Sequence, residues 1–378
     1  MSPFSSCIEG QGLYIGGGWA DFNAPFPTTQ SFAIDLSVSW NASNPKFISL
    51  PDGPAYENGA SARSADGKQW MACGDHICQV TNPETGAWSQ LFTVPETNGY
   101  IDRVSAATDP ETGLVYIPNG SYHSLMKVNL AARAFELVAL HPTLMNTKAY
   151  SVAWSVPLRK MLLFGGTTGA IGQTDRFNAY SYSSAEGWRD LTTTMKGQIP
   201  TPRMEACLAP AYGGTKLVLF GGFTMDRVAQ RPDIYVLDVP TMTWTKGPDA
   251  ATKDQRGKFA CGVSYDYFIS WGGLSGPITN NGITGSTIVY NINTNNWTPT
   301  YTAAFALPPT GNVTTLPTPS GNATSLLPIP SGNIATSSPS ATSTVSIDLR
   351  HPSENSSSNS SNSVGNLLKI FNFVAAVL

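Results

Sequence analysis

One short segment brings together three side chains that could bind a metal or form a disulfide. Cys73-Gly-Asp-His76-Ile-Cys78 could offer two thiolates and an imidazole to zinc, or its cysteines could pair across a hairpin loop. A structural zinc site takes four ligands, and no second ligand pair accompanies this segment. The spacing therefore favours a disulfide between Cys73 and Cys78, or free thiols, over metal, with His76 exposed at the tip of the loop.

Other kinds of chemistry find little support in the sequence. No Gly-x-Ser-x-Gly segment or phosphate-binding loop occurs, and the many glycine pairs follow strands instead of opening helices. The chain has 22 basic and 25 acidic residues and a net charge of −3, so it lacks the positive field that nucleic-acid binding requires. We expect neither a nucleotide cofactor nor a nucleic-acid partner.

A repeat organises residues 1–301. Apolar strands ending in small residues recur 46 to 56 residues apart, and they close at Gly18, Gly74, Gly120, Gly166, Gly222 and Gly273. Each unit then carries one aromatic residue: Trp40, Trp88, Phe135, Trp188, Trp244 and Trp297. Five or six residues earlier stands a residue that can turn the chain: Asp35, Asn82, Asn129, Ser183, Asp238 and Asn291. A single four-stranded sheet cannot bury both of its faces, whereas six sheets in a closed ring cover one another.

These units resemble the Kelch repeat. The fifth unit shows the likeness clearly, with a strand ending in a glycine pair at 217–222, a second strand at 234–238 and Trp244. The resemblance covers residues 1–301 and extends to fungal Kelch surface proteins. It implies an all-β fold, a six-bladed Kelch-type β-propeller, with ligand or protein binding as its role.

Three cysteines share one position of the repeat. Cys7, Cys207 and Cys261 lie in the strand before the small closing residues. The other units carry serine or alanine there, at Ser61, Ala106 and Ala153. We therefore interpret these three cysteines as small side chains that pack in the core.

The Kelch resemblance also implies a ligand site at the central opening of the ring. In Kelch domains the connections leading into the first strand of each blade present side chains there. In this chain Arg103, Arg203 and Arg256 lie in those connections, with Tyr100 and Tyr150 in comparable segments. Three converging guanidiniums would suit a carboxylate, a sulfate or an acidic glycan, and the tyrosines could stack on sugars or peptides.

The alternative is that each arginine only holds its own loop. Asp102, Glu205 and Asp254 lie close by in the sequence and could each pair with one of the three guanidiniums. The sequence leaves both interpretations open.

An enzymatic alternative comes from the copper-radical oxidases of the galactose oxidase kind, which share the Kelch architecture. Such a site needs two histidine and two tyrosine ligands, and the family's histidines come from late in the chain. The four histidines here are His76, His123, His141 and His351, and none of them lies in the fourth to sixth units. We therefore expect no catalysis, no metal and no cofactor.

The composition changes abruptly after residue 301. Residues 302–366 are rich in Ser, Thr, Pro and Asn and nearly free of charge, which predicts a disordered, O-glycosylated stalk. Residues 367–378 form an apolar tail that is too short to span a bilayer and loosely resembles a lipid-anchor signal. We expect a monomer that contacts a membrane only through this tail, if at all.

The sequence favours a place outside the cell. Its N-glycosylation sequons are Asn41, Asn119, Asn296, Asn312, Asn322, Asn355 and Asn359. The stalk, sequons and tail together indicate an extracellular or cell-surface protein, although no signal peptide opens the chain, so we expect a truncated start. If Met1 is the true start, the alternative is a cytoplasmic Kelch scaffold for protein–protein interaction. The expected partner is a protein or an acidic or glycan ligand at the channel face.

Overall fold

The computed structural model describes residues 3–19, 26–82, 84–95, 100–119, 121–168, 177–275 and 282–304. Within these ranges the chain forms thirty β-strands and three short 3-10 turns, Pro142–Leu144, Tyr212–Gly214 and Thr252–Asp254. None of the helical segments in these ranges is long and apolar enough to cross a membrane. The predicted stalk, apart from residues 302–304, and the predicted tail lie outside the described residues.

Six antiparallel sheets follow one another along the chain, each with its four main strands in sequence order. The first three blades are blade 1, β1 (Phe4–Ile8), β2 (Gly12–Gly16), β3 (Ser31–Asp35), a short β4 (Trp40–Asn41) and β5 (Phe47–Ser49); blade 2, β6 (Ala60–Arg63), β7 (Trp70–Gly74), β8 (Ile77–Thr81) and β9 (Trp88–Thr93); and blade 3, β10 (Ala107–Thr108), β11 (Leu114–Asn119), β12 (Ser124–Asn129) and β13 (Ala134–Ala139).

The second half of the ring repeats this plan with additions. Its blades are blade 4, β14 (Lys148–Ser155), β15 (Lys160–Thr167), β16 (Ala179–Ser183) and β17 (Gly187–Asp190); blade 5, β18 (Lys196–Gly197), β19 (Cys207–Ala211), β20 (Lys216–Phe220), β21 (Ile234–Asp238) and β22 (Thr243–Lys246); and blade 6, β23 (Arg256–Gly257), β24 (Ala260–Ser264), β25 (Tyr267–Trp271), β26 (Leu274–Ser275), β27 (Gly282–Ile283), β28 (Thr287–Asn291) and β29 (Asn296–Thr298), followed by β30 (Thr300–Tyr301). The predicted six-bladed, all-β propeller is confirmed.

The first strands of neighbouring blades contact one another and so line a central channel. Small polar side chains link these strands by donating to a backbone carbonyl of a neighbouring blade. The bonds run from Ser61 Oγ to Ser5 O at 2.6 Å, Thr108 Oγ1 to Arg63 O at 2.6 Å, Ser105 Oγ to Tyr150 O at 3.2 Å, Ser151 Oγ to Ala206 O at 2.6 Å and Cys7 Sγ to Val263 O at 3.3 Å. Small polar residues near this position of the repeat therefore connect neighbouring blades by hydrogen bonds.

A disulfide between Cys207 and Cys261 links blades 5 and 6 at the same level. This corrects the interpretation of these two residues as unpaired core cysteines. Equivalent positions of adjacent blades lie side by side, and here the Cα atoms are 6.3 Å apart, within disulfide range. Cys7 is the free cysteine, and burial raises the pKa of its thiol to about 12, which keeps it protonated and unreactive.

The ring closes where blade 6 meets blade 1. Strand β30 pairs with β4, and the rings of Trp40 and Tyr301 stack with centroids 5.0 Å apart. The Tyr301 hydroxyl donates to Leu36 O at 2.7 Å, and Ala303 N donates to Ser39 Oγ at 3.0 Å. All four main strands of blade 1 come from residues 4–49, so closure depends on this seam and not on a blade shared between distant segments.

Candidate functional site

One end of the propeller carries the longest connections. Between the second and third strands the chain runs through 17–30 in blade 1, 168–178 in blade 4, 221–233 in blade 5 and 272–286 in blade 6. At the opposite end the turns between the first and second strands are shorter, for example 9–11 and 265–266. Because exposed loops on a rigid scaffold carry most binding sites, the end with the long connections is the candidate functional face.

A ring of five residues surrounds the channel opening at this face, and we call it the mouth ring. Its members share one repeat position and a left-handed backbone: Asn58, Arg103, Ala149, Glu205 and Lys258, with φ between 50° and 60°. Backbone bonds connect four of them from blade to blade, from Arg103 N to Asn58 O at 2.9 Å, from Ala149 N to Arg103 O at 2.7 Å and from Glu205 N to Ala149 O at 2.8 Å. The strained conformation is thus held by the blades on either side.

Ion pairs cross the opening inside the mouth ring. Arg103 Nε lies 3.5 Å from Glu205 Oε1, although these residues lead into blades 3 and 5. Lys258 Nζ lies 3.7 Å from Glu57 Oε1, which joins the entries to blades 6 and 2. Both separations are too long for hydrogen bonds, and Arg103 Nε and Glu205 Oε1 make none. Arg103 Nε and Glu205 Oε1 are buried, and the second carboxylate oxygen of Glu57 accepts a bond from Trp19 Nε1. The charged groups of the opening are therefore held across it by loose ion contacts.

An aromatic cluster flanks the mouth ring on blades 2 and 3. Tyr100 is 61% exposed and its ring lies 4.8 Å from that of His76. His76 Nδ1 in turn lies 3.3 Å from the Tyr122 hydroxyl. The predicted ligand residue Tyr100 thus presents an exposed aromatic ring that contacts His76 on the same face as the charged opening.

The structure separates the three arginines that the sequence analysis grouped together. Arg103 belongs to the mouth ring and pairs with Asp102 as well as Glu205. Arg203 and Arg256 lie two residues before the ring position and are 1% and 0% exposed. The three guanidiniums therefore do not converge at the opening. Arg203 pairs with the distant Asp233 and not with Glu205, whereas Arg103 and Arg256 each lie 3.8 Å from the nearby carboxylates of Asp102 and Asp254.

Tyr150 is a second correction. Its side chain is 3% exposed and packs in the core shared by blades 2 to 4, so it does not face a ligand at the opening. Burial also raises the pKa of its hydroxyl well above the usual value.

Sequence analysis missed Lys258 and Glu57 as residues of the opening. The signal for Lys258 was its position two residues after Arg256, which matches Glu205 two residues after Arg203.

Two cavities follow the channel below the mouth ring. One of about 180 Å³ lies next to the ring, between Gly59, Ser105 and Phe259, and one of about 390 Å³ lies toward the opposite end, near Glu9 and Tyr212. In the ranges that the structure describes, no three His, Cys, Asp or Glu side chains gather in a way that could hold a metal ion.

The structure also places the predicted modification sites. Cys73 and Cys78 are cross-strand partners in β7 and β8 and form a disulfide, with Cα atoms 4.1 Å apart. Among the sequons, Asn41 and Asn296 are exposed. Asn119 is 1% exposed, and its amide bonds to Tyr100 O and to the backbone of 121 and 122, which leaves no room for a glycan. The sequons at Asn312, Asn322, Asn355 and Asn359 lie outside the described residues.

Comparison with known proteins agrees with this architecture. Residues 113–316 match the family described as the KLHDC2/KLHL20/DRC7 Kelch-repeats domain. Among solved structures, the chain is similar to one titled "Structure of YjhT", with a TM-score of 0.59 and 14% identity over 79% of this chain and 96% of that one. No curated protein matches in sequence. Kelch domains are in general protein-interaction scaffolds. The chain belongs to the Kelch-repeat β-propeller family.

Proposed function

We propose that this protein is a non-catalytic propeller that binds a protein partner at the mouth ring and displays this face outside the cell. The observation that carries the proposal is the pair of loose ion contacts across the opening, on the same face as the exposed ring of Tyr100. Charged side chains that are only loosely paired, together with an exposed aromatic ring, are groups that a protein interface can engage.

The charge at the opening favours a protein over an acidic glycan. Arg103 and Lys258 provide two positive charges, and Glu57, Asp102 and Glu205 provide three negative ones. A strongly acidic ligand would meet as much repulsion as attraction. A protein surface with both signs of charge could match each group and gain specificity from the match.

The cysteines support a location outside the cell. Four of the five are paired in the two disulfides, and disulfides persist in oxidising compartments. The exposed sequons at Asn41 and Asn296 are also compatible with passage through the secretory route. We expect an antibody against the propeller to label intact cells, and labelling only after permeabilisation would favour the cytoplasmic scaffold instead.

The binding proposal is tested by capture with the immobilised chain. Tyr100→Ala and Lys258→Ala change side chains that are not part of the core, so the melting temperature should stay within about 1 °C. For extracellular proteins that bind at the opening, the amount captured by either variant should be at least about tenfold lower than the amount captured by wild type.

Arg159→Ala is the matched control. Arg159 pairs with Glu111 between neighbouring blades at the opposite end of the propeller, where both side chains are exposed. Its loss should leave capture unchanged. If the same proteins are captured equally by wild type, by both opening variants and by the control, the opening is not the binding site.

A further inference from the structure

Arg203 and Arg256 occupy the same place in blades 5 and 6. The carbonyl of each accepts a bond from the second glycine of a pair, from Gly166 N to Arg203 O at 3.2 Å and from Gly222 N to Arg256 O at 2.8 Å. Both stand two residues before the mouth ring, and both are almost completely buried. Any difference between their partners is therefore a difference in side chains and not in position.

All three side-chain nitrogens of Arg203 donate hydrogen bonds. Its Nη1 and Nη2 donate to the two carboxylate oxygens of Asp233 at 2.8 and 2.9 Å. The remaining donors reach Thr201 and the carbonyl of Gly221. Burial opposes ionisation of Asp233, but the hydrogen bonds from Arg203 and Tyr235 and the charges of Arg203 and Arg231 together outweigh it, so the pKa of that carboxyl lies below its usual value. In blade 5 the buried arginine at this position is thus matched by a carboxylate.

Arg256 has no such match. Ser286 of blade 6 is equivalent to Asp233 of blade 5. The carbonyl of each accepts a bond from the first glycine of its pair, from Gly221 N to Asp233 O and from Gly272 N to Ser286 O. Ser286 Oγ accepts one bond from Arg256 Nη2 at 2.7 Å, and Asp254 lies 3.8 Å from the same nitrogen.

The other two donor nitrogens of Arg256, Nε and Nη1, are buried without acceptors. An ionised group in such surroundings is costly, and burial lowers the pKa of Arg256 despite the opposing effect of Asp254.

A second arginine adds to this unmatched charge. Arg231 lies opposite Arg256 in a β-bridge, and its Nε is buried without an acceptor. The carboxylate of Asp233 is already taken by Arg203. The two neighbouring arginines therefore share no complete carboxylate partner.

The side chain that stands in for the missing carboxylate borders a cavity, whereas Arg256 itself is completely buried and does not line that cavity. Ser286 is exposed and lines a cavity of about 700 Å³ beside blade 6, together with Thr284, Lys253 and Asp254. A small anion in this cavity would meet the Ser286 hydroxyl first and would reach the Arg256 guanidinium by displacing that hydroxyl from Nη2. Two oxygens on one carbon fit the fork of a guanidinium, as Asp233 shows beside Arg203.

We propose that Arg256 and Ser286 form a binding site for a small carboxylate anion, which takes the place beside Arg256 that Asp233 fills beside Arg203. This inference goes beyond protein binding at the mouth ring and does not depend on it.

Acetate is the probe. The melting temperature of the whole chain is compared in sodium acetate and in sodium chloride at neutral pH and equal ionic strength. Wild type should melt about 2 °C higher in acetate. Ser286→Asp supplies the carboxylate from the chain itself, so this variant should lose the acetate-dependent rise and should melt above wild type in chloride.

Two further variants serve as controls. Ala251→Asp adds the same charge on the wall of the same cavity without replacing Ser286, and it should keep most of the rise. Asp233→Ser makes blade 5 resemble blade 6, and it should gain an additional acetate-dependent rise. Carbon-13 acetate saturation transfer, seen with wild type and lost with Ser286→Asp, gives a second readout that needs no melting curve.

The proposal is overturned if wild type shows no rise in acetate, or if Ser286→Asp keeps the same rise and the same saturation transfer as wild type. In the second case acetate acts on the protein in general and not at Arg256.

Discussion

Removing the disulfide between Cys207 and Cys261 should lower the free energy of unfolding of the propeller more than removing the other disulfide of the described residues. The bond joins residues 54 apart in the sequence. The loop-closure relation gives about −14 cal/mol/K for a loop of this length, or about 4 kcal/mol of stability at 25 °C. For a propeller of this size we expect the double variant Cys207→Ala with Cys261→Ala to melt about 6 °C lower.

The comparison is with the other disulfide. Cys73 and Cys78 are only five residues apart, so the same relation gives about 2 kcal/mol for Cys73→Ala with Cys78→Ala. Alanine is a fair replacement in blades 5 and 6, since two other blades carry it near this position. Scanning calorimetry without reductant measures both losses.

Two results would refute the reasoning. One is a variant of Cys207 and Cys261 that melts within a degree of wild type, and the other is a larger loss for the five-residue loop. Alkylation supplies an independent check, because denatured but unreduced protein should react only at Cys7. Reaction at more than one cysteine would show that a disulfide of the structure is absent from the protein.

Three other predictions concern the buried pair, the sequons and the closing seam. Asp233→Ala leaves Arg203 buried without its carboxylate and should cost about 3–5 kcal/mol in urea unfolding at neutral pH. Because the folded pKa of Asp233 is depressed, its contribution is complete above about pH 4 and should disappear as the pH falls further, so the gap to wild type should close in acid. In a glycosylating host, Asn41→Gln and Asn296→Gln should each remove one glycan from the intact mass, whereas Asn119→Gln should remove none. Tyr301→Phe loses the bond to the Leu36 carbonyl and should destabilise the closed ring by about 1 kcal/mol, and an unchanged urea midpoint would argue against that seam.

The turns of the propeller could be predicted because they depend on neighbouring residues alone. Each predicted turn residue accepts a backbone bond two or three residues onward, for example from Thr241 N to Asp238 Oδ1 and from Ala132 N to Asn129 Oδ1. Two of the repeated aromatic residues contact the preceding blade. Trp244 is buried against Phe164 of blade 4, and Trp188 donates to the Ala139 carbonyl of blade 3.

The site could not be predicted as reliably because it depends on exact register. Arg203 and Arg256 lie four and five residues before the small residue of the next strand, yet both are buried at the same place, whereas Arg103, three residues before it, lies at the opening. The link between Cys207 and Cys261 was within reach of sequence analysis, since equivalent positions of adjacent blades must lie close together.

The most direct test of binding at the mouth ring is site-specific photo-crosslinking. A benzophenone amino acid replaces Tyr100 at the opening in one version of the protein and Arg159 at the opposite end in another, and each is irradiated with the extracellular proteins of its own cells. We predict that crosslinks form from position 100 to the same proteins that Lys258→Ala fails to capture, and not from position 159. Crosslinks to those proteins from position 159, with none from position 100, would contradict the account.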